Sequence, residues 1–334
     1  MHADFLNLLC CPQSGAALRL EGSEYGPGGN IITGLLSSDA GTRYSIIRSI
    51  PRFVVAENYA DSFGFEWNRW PRLQFESDNV GKPMEGWTTQ MWERITCIHD
   101  DQVKDRIVVE FGCGPGRFLD VVRRKGGRAV GIDLSRAVEA ARRNFSEDPN
   151  VLIVQGDLLK PPFRNGVFDG GYSIGVLHHT PHPQSGLRAL AQTIKPGGWI
   201  ACSVYPKGSL YDFRSTARLR KLHHAFKPRF GYRPALFYSY LSAFFLVPAF
   251  RLGKKFWGLR SCLNWIERQC LVNLHLRDVR WRILDTFDAI TPALASTHTD
   301  EEVRGWMEQA GCSRVRSSNW GPASLSGVRA LEVD

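Results

Sequence analysis

The sequence predicts an α/β protein: a doubly wound, mostly parallel seven-stranded sheet, with a small β-rich unit ahead of it and a helical insertion late in the chain. Three observations predict it. From residue 107, apolar runs of strand length alternate with segments of helical period. The first run ends in three glycines at alternate positions, Gly112, Gly114 and Gly116, just before a helix opens. The next two runs both close on an aspartate, Asp133 and Asp157.

The elements follow in order. Residues 1–56 read as a separate unit: LNLLC, a CPQSG turn, short β-runs in ALRL and YSIIRSIPRFVV, and the turn cluster EYGPGGN. Residues 57–106 are crowded with Trp and Phe and predict a helical lead-in. The main domain takes 107–206 and 297–334. Its strands are IVVEF (107–111), RAVGID (128–133), VLIVQGD (151–157), FDGGYSIGVL (168–177) and WIACSVY (199–205), the last after a Pro-Gly-Gly turn. Its helices are FLDVVRRK (118–125), SRAVEAARRNF (135–145) with Ser135 as N-cap, SGLRALAQTI (185–194) and DEEVRGWMEQAG (300–311). CSRVRSSNW and SGVRALEVD predict a terminal hairpin. Residues 207–296 form the insertion.

Composition narrows the class. Hydrophobic residues make up 43% and charged residues 22% of 334, which excludes a disordered, collagenous or coiled-coil chain. Eight cysteines scattered over this length predict reduced thiols and a cytoplasmic setting, and the N-terminus shows no secretory pattern. No uncharged apolar run reaches the roughly 20 residues of a spanning helix. The formal charge is +9, but 207–282 holds 16 Lys/Arg against 3 Asp/Glu while the remainder is net acidic. The basicity belongs to the insertion and implies an anionic partner or a solvated face.

The glycine turn carries chemistry. Glycines let backbone approach a ligand, and a helix N-terminus offers unpaired N–H groups. The nicotinamide pattern would need glycine at 117, which is Arg117. Glu110, just before the glycines, would meet a cationic group and repel a pyrophosphate. Asp133 stands 21 residues after Gly112, placed to hold both ribose hydroxyls, and otherwise is a helix cap. Asp157 can accept an adenine amino group or cap a helix.

EFGCGPGRF, GIDLS, QGDLL, the strand D-x-x-x-S-x-G-V-L-H-H and KPGG together resemble the class I S-adenosylmethionine-dependent methyltransferases, over about 88–205 and 300–334. The resemblance implies a Rossmann-like methyltransferase fold and S-adenosylmethionine as cofactor, with S-adenosylhomocysteine as product. It implies Glu110 near the methionine ammonium, with Phe111, Gly112, Cys113, Gly114 and Gly116 in the turn beneath the methionine. Asp133 and Leu134 fall at the ribose, Gly156, Asp157 and Leu158 at the adenine, and Ile174 and Gly175 along the fourth strand. The N-terminal LLCCPQSGAAL and RYSIIRSIPRF resemble the small zinc-ribbon-like methyltransferase activators. The zinc forms carry C-P-x-C and a second pair. Here Ser14 stands in the first pair and no second pair precedes Cys97, so no metal is expected.

His178 and His179, past the fourth strand, are candidate general bases or packing residues. Tyr205 and His298 are further candidates, and His182 reads as a loop residue. In the insertion, PALFYSYLSAFFLVPAF (234–250) is uncharged and interrupted by Pro248. It suits a lid on the core or an interfacial helix, with membrane contact through 234–260 at the inner face. The segment 285–303 is expected to close the pocket with His298. The leading reading is methyl transfer to an O or N atom of a small-molecule, glycan or lipid-linked acceptor. An RNA methyltransferase and a non-catalytic cofactor-binding module are the alternatives, nucleic acid being disfavoured for want of an aromatic-basic platform. Decarboxylation or alkyl transfer from the same cofactor stays open.

Overall fold

The computed structural model describes residues 1–54, 58–146, 148–256, 258, 260–269 and 273–331. The chain opens with a 3-10 helix at Ala3–Leu8, where a β-run was expected. Four antiparallel strands follow: β1 (Leu18–Tyr25), β2 (Ile31–Ser38), β3 (Arg43–Ile47) and β4 (Ile50–Pro51). β2 was not anticipated, because Gly34 and the terminal serines blur its alternation.

This unit does not stand apart. Phe5, Leu9, Ile31 and Leu36 share one core with Ile132, Leu152 and Val154 of the main sheet. Backbone bonds stitch it on: Phe53 donates to the Gln155 carbonyl at 2.8 Å and Cys10 to Pro162 at 3.0 Å. Arg52 adds bonds to the Gln155 side chain and to Glu139. The unit therefore covers the edge strand of the main sheet, where exposed N–H and C=O groups would otherwise invite pairing. Helices α1 (Asp61–Arg69) and α2 (Trp87–Thr96) make up the expected lead-in.

The main sheet begins at β5 (Ile107–Phe111), followed by α3 (Arg117–Arg124), β6 (Arg128–Asp133), α4 (Ala137–Asn144), β7 (Val151–Gln155) and β8 (Phe168–Ile174). Then come α5 (Pro183–Thr193) and β9 (Ile194–Ser203). β9 starts before the Pro-Gly-Gly turn rather than after it. Five helices form the insertion: α6 (Arg214–Phe230), α7 (Arg233–Leu241), α8 (Val247–Gly253), α9 (Arg260–Gln269) and α10 (Val279–Ile290). A π-turn, Ser242–Leu246, joins α7 to α8, so that Arg233–Gly253 runs as one 21-residue helix. By length and composition this helix could cross a membrane, which the interrupted apolar run did not suggest. Helix α11 (Asp300–Gln309) opens on a capping box from Thr299 and Glu302, and β10 (Cys312–Ser317) and β11 (Ser324–Arg329) form the expected hairpin.

Strand order is β10-β11-β9-β8-β5-β6-β7, with β5 to β9 parallel and β11 antiparallel to β9. The chain winds outward through β6 and β7, then returns to the other side of β5 as β8. The switch point thus lies between β5 and β8, where open parallel sheets bind ligands beyond their strand ends.

Candidate functional site

The turn after β5 is fixed against β6. The amides of Gly112 and Cys113 both donate to the Ile132 carbonyl, at 2.7 and 3.0 Å. Gly112 has φ +81°, and a Cβ there would fall 2.3 Å from Val176 Cγ1. Only glycine fits this corner. Asp133 is held on three sides: the Gly114 amide donates at 2.9 Å, the Ser135 amide at 2.8 Å and the Ser135 hydroxyl at 2.7 Å. Burial pushes its carboxyl up, and these donors pull it back. Ser135 also accepts from the Ala137 amide, so its hydroxyl serves the start of α4 although the helix itself begins at Ala137. Glu110 is buried and accepts from the Tyr172 hydroxyl at 3.2 Å. Desolvation holds its carboxyl well above the usual range, opposed first by the Arg117 charge.

A cavity of about 230 Å³ opens beyond these strand ends. Of the residues read from the sequence, Glu110, Gly112, Cys113, Gly114, Asp133, Leu134, Leu158, Ile174 and Gly175 line it, as do His179 and Tyr205. At Gly175, φ +76°, an added Cβ would meet nothing within 4 Å, so the glycine leaves space beside the cavity.

Five predicted residues do not line it. Phe111 points into the core, fully buried. Gly116 turns the chain into α3 and packs against Phe145. Gly156 packs on Ile132. The Asp157 carboxylate accepts from the Leu159 amide at 2.8 Å and so stabilises its own turn, and Leu158 reaches the cavity instead. His178 lies beneath Tyr205, ring centroids 3.7 Å apart, and the Tyr205 amide lies 3.3 Å from its Nδ1. His298 bonds to Ser296 and Glu302, away from the cavity. The two adjacent histidines diverge because a 3-10 turn, Leu177–His179, follows β8 where the strand was expected to continue.

The far wall was not legible as a site. Helix α10 brings Asp285 and Asp288 to the cavity, one turn apart. The Tyr205 hydroxyl donates to Asp288 at 2.9 Å and the Tyr211 hydroxyl to Asp285 at 3.1 Å. The two tyrosine rings stack at 3.7 Å. Burial pushes Asp288 up to about 7, with the Asp285 charge adding to it, and pushes Asp285 up to about 6. Arg117 is the cation among them, lowered to about 10 by burial against the pull of Glu110, Asp288, Asp285 and Glu66. Glu66, fully buried behind this group, has no hydrogen-bond partner on either carboxylate oxygen.

His179 donates through Nδ1 to the Leu294 carbonyl at 2.7 Å, which leaves Nε2 as the lone-pair nitrogen, without a partner. Burial lowers its pKa to about 4. Phe63, Trp67, Trp87 and Met91 from the lead-in and Trp281 from α10 complete an aromatic wall. Among the described residues none before Tyr59 lines the cavity.

Residues 109–202 match the family model described as Methyltransferase domain. Over 104 residues the chain is 36% identical to the ubiquinone biosynthesis O-methyltransferase of Albidiferax ferrireducens, covering 29% of this chain and 40% of that protein. Over 128 residues it is 28% identical to 24-methylenesterol C-methyltransferase 2 of Oryza sativa subsp. japonica, covering 33% and 35%. Over 121 residues it is 31% identical to "Probable tRNA methyltransferase 9B" of Mus musculus, covering 35% and 26%. The chain thus spans two fifths or less of these relatives. Among solved structures, it is similar to an S-adenosylmethionine-dependent methyltransferase from Mesorhizobium loti at 24% identity and TM-score 0.33, over 41% of this chain and 58% of that one. It is also similar to a chain of the Haloferax volcanii complex containing the Trm112 methyltransferase activator, at 15% identity and TM-score 0.43, over 81% and 99%.

Proposed function

Residues 109–202 are a methyltransferase domain, and from that premise we propose that the chain binds S-adenosylmethionine and transfers its methyl group to an O or N atom of a small or lipid-linked acceptor. One observation carries the reading. A single cavity joins the glycine turn and Asp133 on one side to the carboxylates of α10 on the other. The residues present fit the cofactor. Glu110 offers a buried carboxylate to an ammonium, Asp133 a rigid carboxylate to ribose hydroxyls, and Leu134, Leu158 and Ile174 offer apolar walls to a base.

The cofactor, when bound, supplies an electrophilic methyl on a sulfonium. The chain's own residues orient the acceptor, exclude water and move a proton. Asp288, at about 7, is matched to neutral pH and is the base of this reading. His179, at about 4, is too weak a base at that pH and serves as a hydrogen-bond acceptor through Nε2. His178 packs and holds the Tyr205 backbone. The sequence-based assignment of a histidine base thus gives way to an aspartate one on the grounds of burial. The N-terminal unit acts as a cover for β7 and not for the acceptor, since the cavity begins beyond it.

An RNA acceptor is the second reading, favoured by the basic insertion and by a tRNA methyltransferase among the relatives. Against it, the cavity wall is aromatic and acidic. Calorimetry tests the premise. S-adenosylhomocysteine should bind in the micromolar range, roughly 8 kcal/mol, and the absence of any heat would remove the cofactor from the account.

A further inference from the structure

Exposed large apolar side chains are concentrated in the insertion. Among the described residues, ten lie between Leu222 and Trp265 and six in all the rest. The helix Arg233–Gly253 explains why. Ala235, Ser239, Ala243, Val247 and Phe250 recur every three or four residues on one face and are buried. That face packs toward α10, where Ala235 joins the cluster of Phe287, Ala289 and Ile290. The opposite face carries Phe237, Tyr240, Phe244, Phe245 and Leu252 in solvent, with Phe237 69% and Phe245 68% exposed. A helix apolar all round belongs in an apolar medium, and here only half of it has one. Leu222, Phe226 and Phe230 add a second exposed stripe, one turn apart along α6.

Charge surrounds these stripes. Residues 213–266 contain 11 Lys/Arg and no Asp or Glu. Arg229, Arg233, Arg251, Lys255 and Arg260 are exposed at the helix ends. Some of this charge is used internally: Lys227 pairs with Asp61 at 3.5 Å, and Arg251 donates to the Leu274 and Leu276 carbonyls. Trp257 and Leu259 of this stretch lie outside the described residues.

We propose that the outer face of the insertion adsorbs to an anionic membrane surface, its aromatic side chains entering the headgroup boundary and its basic residues meeting lipid phosphates. The charge is of the right sign and lies at the edges of the apolar face, as interfacial helices require. The helix lies on the surface and does not span, because its inner face is committed to α10. The opposite side of α10 carries Asp285 and Asp288, so a single helical layer separates the adsorbed face from the cavity. A lipid-linked acceptor would then be taken from the surface on which the protein sits. Only this last step rests on the methyl-transfer reading, and the adsorption does not.

Vesicle co-sedimentation tests it without turnover. Vesicles of phosphatidylcholine with about one third phosphatidylglycerol should sediment the protein at physiological salt, and pure phosphatidylcholine should do so at least tenfold more weakly. Each Lys or Arg at the surface is worth about fivefold in partition, so Arg229→Glu with Lys255→Glu should remove most of the salt-sensitive binding. Phe244→Ser with Phe245→Ser should cut the salt-resistant part at least tenfold. Both variants should keep wild-type affinity for S-adenosylhomocysteine by calorimetry, which reports an intact fold and separates this proposal from the cofactor reading. No sedimentation with anionic vesicles would overturn it. So would binding wholly abolished by salt, or binding displaced by an equal mass of poly(U) RNA, which would assign the face to nucleic acid.

Discussion

The two walls of the cavity are built on opposite rules. On the strand-end side the polar groups are satisfied before any ligand arrives: Asp133 accepts three bonds, and two turn amides share the Ile132 carbonyl. On the α10 side polar groups are left short. Glu66 has no partner, Asp285 has a bare Oδ2, and Nε2 of His179 and the Oε1 of Gln74 are unpaired. A satisfied wall is rigid and suits an invariant ligand. An unsatisfied wall stores the capacity to bind and to exchange a proton, at a cost in stability.

If that contrast is right, the largest effect belongs to Asp288. Asp288→Asn should lower transfer of labelled methyl from S-adenosylmethionine into solvent-extracted lipid by about 10²–10⁴, with cofactor affinity unchanged. A wild-type rate would leave the far wall without a chemical role. Next comes Asp133→Ala, expected to weaken S-adenosylmethionine at least tenfold by calorimetry. It should also destabilise the fold, since the Gly114 and Ser135 amides lose their acceptor. Unchanged affinity would mean that the rigid wall serves only itself.

Glu66→Gln should act the other way. A buried carboxylate without a partner gains from neutralisation, so denaturant titration at pH 9 should show the variant more stable by about 1–3 kcal/mol, with the gap narrowing as pH falls. A loss of stability would show that Glu66 is paired in solution.

The smallest expected effect is in the pH profile. The folded pKa of Asp288 is raised, so its contribution is full below about 4 and is lost as pH rises through about 7. The folded pKa of His179 is lowered, so its contribution is full above about 6.5 and is lost as pH falls through about 4. The two oppose each other between pH 6.5 and 4. Asp288→Asn should therefore melt higher than wild type at pH 8 and lose stability more steeply between pH 7 and 5. Parallel profiles would place Asp288 in water.

The same contrast governs what could be read from the chain. The rigid wall is local: Glu110, three glycines and Asp133 sit within 24 residues, and strand, turn and helix signals place each one. The far wall is assembled across distance. Asp285 and Asp288 come from an inserted helix more than 170 residues after Glu110, with no glycine or motif to mark them. The segment 285–303 was expected to close the pocket, but His298 was singled out in it and the carboxylates were not. Aromatic crowding at 63–92 signalled a helical lead-in, while its role as cavity wall depends on packing that periodicity does not encode. The pair His178 and His179 shows the limit most sharply, because their divergence hangs on a 3-10 turn one residue beyond a strand end.

The π-turn at Ser242–Leu246 has a genetic corollary. Such a turn is, in effect, one residue more than an α-helix needs. Deleting any one residue between 242 and 246 would let the backbone close into unbroken α-helix, so the deletion is harmless to hydrogen bonding. It would nevertheless rotate everything after it by about 100°, one residue's turn. Val247 and Phe250 would swing off their packed face and the basic end of the helix would point elsewhere. Selection on this stretch should therefore tolerate substitutions and resist frame-preserving deletions, the reverse of what a surface loop permits.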